Sequence, residues 1–377
     1  MNKNTTSLHL IQNFLSETEL QTILAEFGFV DTARKCTVST LISYLIGAAT
    51  NEWKSLRHAA DVGPSFGLIS IDHSSLSKHM KALNYAIMKR IFEVIVGKLN
   101  RATRRTLKMK KIPMAVDSTT VTVGKTRLPW AIYHGERAGI KLHVSFTNET
   151  AMPLQVVETT GLKNDGPVGA SLEDKRFIFI GDRAYFSIEK VDRYVTENEK
   201  QHFVIRLKEN IQLNRKKALK GTRKKDSNVT DDFTCILGTP QKQTKTRHRV
   251  VQFTDHEGKE IRVVTSLMNV TAEEIADMYK SRWAIESFFR WIKQHLNVPI
   301  LFGTTPNAVF NQLFTALIAY VLLKFLHIQG SKKNTRKSLS FTGFTRLFLC
   351  ATLPLEWRIA IHETLEFYRK LYEGVSG

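Results

Sequence analysis

Tyr279, Arg282, Glu286 and Lys293 stand in one stretch, YKSRWAIESFFRWIKQHL, at steps of three, four and seven residues. On an α-helix, at roughly 100° per residue, the four side chains fall within about a 60° sector of one face. Ile285, Phe288, Phe289, Ile292 and Leu296 follow the rhythm of a core-facing stripe, centred about a quarter-turn from the first. The polar stripe therefore borders the core. A carboxylate with an Arg one turn before it and a Lys two turns after it suits a site that binds both a metal and an anion. Arg282 and Glu286 are also an i,i+4 pair, so the plain alternative is a salt-bridged helix.

Two further carboxylates each close a run that reads as a buried strand. Asp117 follows the apolar Ile112 to Val116 in KIPMAVDSTTVTVG, where Ser, Thr and Val continue a β-type composition. Asp182 follows Phe177 to Ile180 in DKRFIFIGDRAYF, with Gly181 letting the backbone pass close to a neighbour. Singly, such an Asp serves as a turn or helix cap. Three carboxylates brought together repel one another and resist ionising unless a cation is present. Hard oxygen ligands select Mg²⁺ or Mn²⁺, and two such ions about 4 Å apart suit phosphoryl transfer by an activated water or 3′-hydroxyl. Neither a GxxxxGK[ST] loop nor a GxGxxG fingerprint is present, so the anion is expected to be a nucleic-acid backbone.

With these residues in place the chain resembles the DDE transposases of bacterial insertion sequences, in the branch with the YREK signature, the IS-four family. The order Asp117, Asp182, Glu286, a long insert before the Glu, and the Tyr-x2-Arg-x3-Glu-x6-Lys spacing carry the resemblance. The segments VDSTTV, GDRAYF and GIKLHV, the last around His143, are similar to the family's as well. The likeness runs from about Pro113 to Leu323. It implies an α/β fold with an RNase H-like core: a mixed sheet with flanking helices, Asp117 on the first strand, Asp182 after the fourth and Glu286 on a helix. It also implies that the three carboxylates bind the metals, and that Tyr279, Arg282 and Lys293 contact the DNA.

The residues between agree with that core. Leu142 to Phe146 and Leu154 to Val157 read as strands around the turn TNETAMP, Ile188 to Val195 as a helix and His202 to Leu207 as a fifth strand. Residues 209–270 read as a β-rich insertion, with strands at His248 to Thr254 and Ile261 to Ser266 around DHEGKE. In the resembling branch such an insert helps hold the transposon end as a hairpin, with an aromatic platform for a displaced base. This chain has no Trp between Trp130 and Trp283, so stacking falls to Phe233, Phe253, His248, His256 or Trp283.

The formal net charge is +20 and the pI near 9.8, which raises affinity for a polyanion through counterion release. Membrane-surface proteins share that property, but here the charge is clustered. One cluster runs from Lys98 through Arg101, Arg104, Arg105 and Lys108 to Lys111. Another holds Lys208, Arg215, Lys216, Lys217, Lys220, Arg223, Lys224 and Lys225, with Arg247 and Arg249 beyond. A solvated face or linker is the bland reading of either. With Lys78, Lys81 and Arg183, these are the candidate DNA contacts.

Three scattered cysteines, Cys36, Cys235 and Cys350, fit no metal spacing and suit a reducing cytosol. MNKNTTSLHLIQNFL is too polar for a signal peptide, and Leu313 to Ile328, interrupted by Lys324, reads as a buried helix rather than a membrane span. A cytoplasmic bacterial protein, nucleoid-associated when bound to DNA, is expected.

Three parts follow: a helical DNA-binding domain at 1–110, a catalytic domain at 111–330 that contains the insertion, and a helical C-terminal region at 331–377. In the first, helices are expected at Thr37 to Thr50, Glu52 to Asp61, Ser74 to Ala82 and Tyr85 to Leu99. The middle pair could form a helix-turn-helix presenting Ser75, Ser77, Lys78 and Lys81, although small bundles mimic that pattern. In the last, Leu347 to Leu353 and Trp357 to Leu371 are amphipathic, and family analogy assigns such a tail to a homodimer in a synaptic complex. The expected activity is cut-and-paste transposition on double-stranded DNA, from terminal inverted repeats to target DNA. The alternatives are an inactive relict or regulator that binds ends without catalysis, and a structure-specific nuclease on the same fold.

Overall fold

The structure, a computed structural model, describes residues 10–104, 112–197, 200–219, 227–334 and 338–373. The chain divides into two compact units. One comprises Met1–Thr106, Val123–Pro129 and Phe289–Gly377, the other Leu107–Thr122 and Trp130–Phe288.

The N-terminal helices are α1 (Glu17–Glu26), α2 (Val38–Thr50), α3 (Leu56–Val62), α4 (His73–Ala82) and α5 (Tyr85–Arg104). Polar side chains cap the first four: Ser16, in a capping box with Glu19, then Thr37, Ser55 and Asp72. The helix expected from Glu52 starts only at Leu56. Glu52 takes a positive φ of 51°, and the Ser55 side chain accepts the His58 amide, which sets the start later.

The other unit is built on β1 (Ile112–Gly124), β2 (Arg137–Thr147), β3 (Met152–Thr160), α6 (Asp165–Gly169), β4 (Phe177–Gly181), α7 (Ile188–Thr196) and β5 (His202–Arg206). The insertion follows as β6 (Leu213–Ala218), β7 (Val229–Thr239), β8 (Lys242–Gln243), β9 (His248–Thr254) and β10 (Glu260–Thr265). Then come α8 (Ala272–Ser281) and α9 (Trp283–His295), the latter crossing into the first unit.

The first five strands lie in the order β3-β2-β1-β4-β5, with β4 parallel to both β1 and β5, and β2 antiparallel to β3. This is the mixed sheet of an RNase H-like core. Every residue of β4 is buried, as a central strand covered on both faces requires. The insertion continues the same sheet. β10 pairs antiparallel with β5 through Val264↔Ile205, and β9, β7 and β6 follow outward. Alternation along the strands sends Phe179, Phe203 and Val264 to a face covered by Val191 and Tyr194 of α7. Ile180, Val204 and Val263 point to the other, against Ile275 and Tyr279 of α8.

In the helical unit, α10 (Pro306–Lys333) is followed by α11 (Phe341–Leu349) and α12 (Leu355–Glu373). Thr305 caps α10 and Pro306 occupies its first turn. It is the one described helix long and apolar enough to cross a membrane, yet 94% of its most apolar window is buried, matching the expected core helix. Helices α2, α4, α5, α11 and α12 surround it. Asn311, fully buried, donates to the carbonyls of Met80 and Leu83 and so pins the α4–α5 turn. The helix expected at 347–353 lies earlier, because Ser340 caps α11 and the chain leaves the helix at Cys350, before Ala351 at positive φ.

Candidate active site

Parallel pairing of β1 with β4 ends at Val116↔Gly181, so Asp117 and Asp182 are the next residues on two adjacent strands. Asp117 closes the apolar run of its strand but not the strand itself, as the β-type composition after it suggested. β1 runs on to Gly124, because Ser118 to Val123 keep a β-branched composition. Asp182 does end β4 and leads into a 3-10 turn over Arg183–Tyr185. Gly181 is required there: a Cβ would lie 2.9 Å from the Phe179 ring and 3.1 Å from Tyr185 Cβ.

The single helix expected over residues 279–296 is broken at Arg282. Tyr279 sits in the last turn of α8, Glu286 in the first turn of α9, and Ile285 N–H bonds back to the Arg282 carbonyl at 3.0 Å in a tighter turn. The break leaves Arg282 between the carboxylates. Its guanidinium donates from Nη1 to Asp117 Oδ2 and from Nη2 to Glu286 Oε1, both at 2.7 Å. The Tyr279 hydroxyl approaches Asp182 Oδ1 at 3.5 Å, the long limit of a hydrogen bond. The expected core stripe, Ile285 to Leu296, is buried at all five positions.

Burial pushes the Asp117 carboxyl up to about 6; Arg282 and the Ser118 amide pull it back, while Glu286 and Asp182 add to the rise. Burial disfavours the Arg282 charge, but its neighbours, Asp117 and Glu286 among them, hold its pKa above the usual range. Burial alone draws Lys293, two turns beyond Glu286 on α9, downward. Asp182 and Glu286 add to the cost of ionising Asp117, and a hard divalent cation held by these oxygen donors would relieve it. As arranged, no three Asp, Glu, His or Cys side chains among the described residues converge on one ion position. An ion held by both Asp117 and Glu286 would take the place of the guanidinium.

Other expected contacts separate by exposure. Arg183, beside Asp182, Lys78 and Lys81 on α4, and Lys216 and Lys217 on β6 are exposed, with Lys216 Nζ 4.7 Å above the Phe233 ring. Arg104 ends α5; Arg105 and Lys224 lie outside the described residues. Three cations of the clusters are structural instead. Arg249 is fully buried, paired with Asp232 and donating to the Leu267 and Val270 carbonyls, since an unpaired interior charge is prohibitive. Arg247 bonds the Arg215 and Thr234 carbonyls, and Lys98 bonds Glu19 and the Phe14 carbonyl.

Of the stacking candidates, Phe233, Phe253 and His248 are core residues and present no ring. His256 and Trp283 are exposed, Trp283 by 55%, and both line a cleft of about 870 Å³ with Arg206, Tyr279, Lys280 and Arg282. Ser118, Asp165 and Tyr185 went unnoticed as site residues. Nothing in LKNDGPVG distinguishes Asp165 from a turn residue; only its distance to Ser118 does.

The family model of the transposase DDE domain matches residues 108–322. A Geobacillus stearothermophilus protein, provisionally named as the transposase for insertion sequence element IS5377, is 52% identical over 99% of this chain and 98% of its own. A Synechocystis sp. protein, provisionally named as the transposase for element IS4SA, is 27% identical over 74% of this chain and 79% of its own. The piggyBac transposase, solved in a synaptic complex with hairpin DNA, aligns at a TM-score of 0.49 and 10% identity over 96% of this chain and 85% of its own. The chain belongs to the DDE transposases of insertion sequences, enzymes that act on DNA.

Proposed function

We propose that the protein moves its element by cut-and-paste: it binds terminal inverted repeats, cleaves the element's ends and joins the freed 3′-hydroxyl to target DNA. The observation that carries this reading is Arg282 bridging Asp117 and Glu286 beside Asp182, where β1 and β4 part. Asp117, Asp182 and Glu286 are the residues that would hold two Mg²⁺ or Mn²⁺ ions, whose chemistry is to activate the attacking oxygen and stabilise the leaving one. Arg282, displaced from its carboxylates, binds the phosphate, and Lys293 adds charge. Tyr279 orients the DNA terminus next to Asp182. Trp283 and His256 offer stacking faces for a base in their cleft.

Residues 1–110 serve as the end-reading domain, with Lys78 and Lys81 of α4 and the basic stretch through Arg104 and Arg105 on phosphates. Lys216, Lys217 and Lys224 extend that contact along the insertion, and Arg183 lies beside the cut. Residues 111–330 supply the chemistry. The helical region at 331–377 joins a second copy in a synaptic homodimer, a role favoured by the exposed Leu355, Ile359 and Phe367 of α12. The protein works in the bacterial cytoplasm, on the nucleoid.

The test is an excision assay on a plasmid carrying the element's own ends, in Mg²⁺, with wild type and Glu286→Ala. Double-strand cleavage at the ends that is lost in the variant supports the reading. Specific end binding without cleavage would instead identify a relict or regulator, and cleavage without end preference a structure-specific nuclease.

A further inference from the structure

Asp165, at the start of α6, stands apart from the three carboxylates and is tied to them through one hydroxyl. Its Oδ1 accepts from Ser118 Oγ at 2.8 Å and from Lys141 Nζ at 3.3 Å, and lies 3.3 Å from His143 Nδ1. Lys141 also donates to the Lys163 carbonyl at 2.9 Å, and His143 Nε2 meets Thr159 Oγ1 at 2.9 Å, so β2 and β3 both anchor the group. The Ser118 amide donates to Asp117 Oδ1 at 2.8 Å. One residue is thus gripped by Asp165 through its side chain and grips Asp117 through its backbone.

This network is costly to build. The His143 side chain is 0% exposed, with Nδ1 aimed at the carboxylate without a well-formed hydrogen bond, and the Lys141 side chain is 13% exposed. Burying an imidazole and an ammonium disfavours folding unless they are paired or hydrogen-bonded, and Asp165 is the carboxylate that faces both. The Tyr185 hydroxyl is also buried with no partner among the described residues, within the electrostatic reach of Asp117, Asp165 and Asp182. Its ring is wedged where a Cβ at Gly169 would come within 2.6 Å. Asp165 therefore borders the same small volume as the site.

We propose that Asp165 is a positioning residue for Asp117: by holding Ser118, it keeps the Asp117 carboxylate with Oδ1 on the Ser118 amide and Oδ2 turned toward Arg282 and Glu286. The inference rests on the transposase reading, in which Asp117 is a ligand of the cation. Lys141 and His143 keep Asp165 in place, which gives the GIKLHV segment its role. In metal sites, residues that hold a ligand change metal affinity or activity by roughly 10- to 100-fold when removed.

The experiment measures Mn²⁺ binding to the full-length protein by the spin resonance of free Mn²⁺, with thermal melting and the Mg²⁺ dependence of end cleavage alongside. The proteins are wild type, Asp165→Ala, Asp165→Asn, Ser118→Ala and Asp117→Asn. Asp165→Ala is expected to weaken Mn²⁺ binding roughly 10- to 100-fold and to raise the Mg²⁺ needed for half-maximal cleavage in parallel. Asp165→Asn, whose carbonyl still accepts from Ser118, should recover most of that affinity. Should Asp165→Ala fail to fold, Ser118→Ala, which deletes only the hydroxyl, decides by the same Mn²⁺ measurement. Wild-type Mn²⁺ affinity in a folded Asp165→Ala, or in Ser118→Ala where the former is unfolded, overturns the inference, whatever the melting temperature. If that occurs while Asp117→Asn loses the ion, the transposase reading stands and only the positioning role falls. If Asp117→Asn binds Mn²⁺ as wild type does, or wild type binds none, the reading of Asp117 itself falls and the positioning role with it.

Discussion

Arg282 Nη1 donates to Asp117 Oδ2 at 2.7 Å, a contact between residues 165 positions apart in the chain. The same guanidinium reaches Glu286 and is only 7% exposed, so it neutralises two carboxylates that would otherwise repel. Breaking one partner out of a buried ion pair costs about 3–5 kcal/mol, with the lower end expected where the carboxylates are partly solvated. Arg282→Ala should therefore lose about 3 kcal/mol in a chelator and regain part of it in Mn²⁺. Denaturant unfolding in both buffers measures this, and an equal loss in each would show that cation and guanidinium do not compete for one place.

Asp117→Asn keeps the shape of the side chain and its contact with the Ser118 amide while removing the charge. End binding, which rests on the basic surfaces, should persist, and cleavage should be abolished. Gel-shift and cleavage assays on the same preparation separate the two, and cleavage at the wild-type rate would sink the assignment.

Two buried groups give the metal-free protein opposing pH responses. Burial, against Asp165 and with Lys141, draws His143 down to about 4 from an ordinary 6.5. The unfolded chain then takes up a proton that the folded one refuses, so stability falls as the pH drops from 6.5 to 4, by about 3 kcal/mol. Asp117 is pushed up to about 6, so its contribution is present below pH 4 and lost as the pH rises through 6, by a similar amount of about 3 kcal/mol. With chelator the two nearly cancel between about pH 4 and 6, so His143→Gln should leave a stability that falls as the pH rises through that window, and Asp117→Asn one that rises. Parallel curves for both variants would contradict the assignment.

Cations that look alike in the sequence should part company in experiment. Arg249→Ala leaves Asp232 charged and unpaired in the interior and should destabilise by about 3–5 kcal/mol. Lys217→Ala, on an exposed strand, should leave the melting temperature unchanged and reduce the salt dependence of DNA binding by about one unit of slope. Calorimetry and binding at graded salt distinguish these outcomes.

Trp283 is exposed beside Arg282 and faces the cleft shared with His256. Trp283→Ala should not disturb folding, but should cost about 1–3 kcal/mol wherever a base stacks on that ring. Accumulation of nicked ends, or loss of hairpin products, would register that cost. An unchanged product distribution would remove Trp283 from the path of the DNA end.

Much of the framework was legible from pattern. Asp117, Asp182 and Glu286 stood out because strands announce themselves by apolar runs and helices by their period, and five strands of the core follow those runs. The strands β6 and β7 were not legible: LNRKKA is largely exposed and polar, and VTDDFTCILGT carries two acids at its third and fourth positions, which interrupt the alternation of a half-buried strand. The break at Arg282 escaped notice for a related reason. Local periodicity carries through a single tightened turn, and the carboxylates that draw Arg282 into place include one from a distant strand.

What the sequence by itself determined were residue types in order: three carboxylates, the Tyr, Arg and Lys about the last of them, and a basic surface. Those follow from local periodicity and composition, which act over a few residues. Only the tertiary structure decided that Arg282 lies between Asp117 and Glu286, that Asp165 reaches Ser118, and that Arg249, Phe233 and Phe253 belong to the interior. Burial and charge pairing depend on which strands and helices meet, and no spacing along the chain encodes those neighbours.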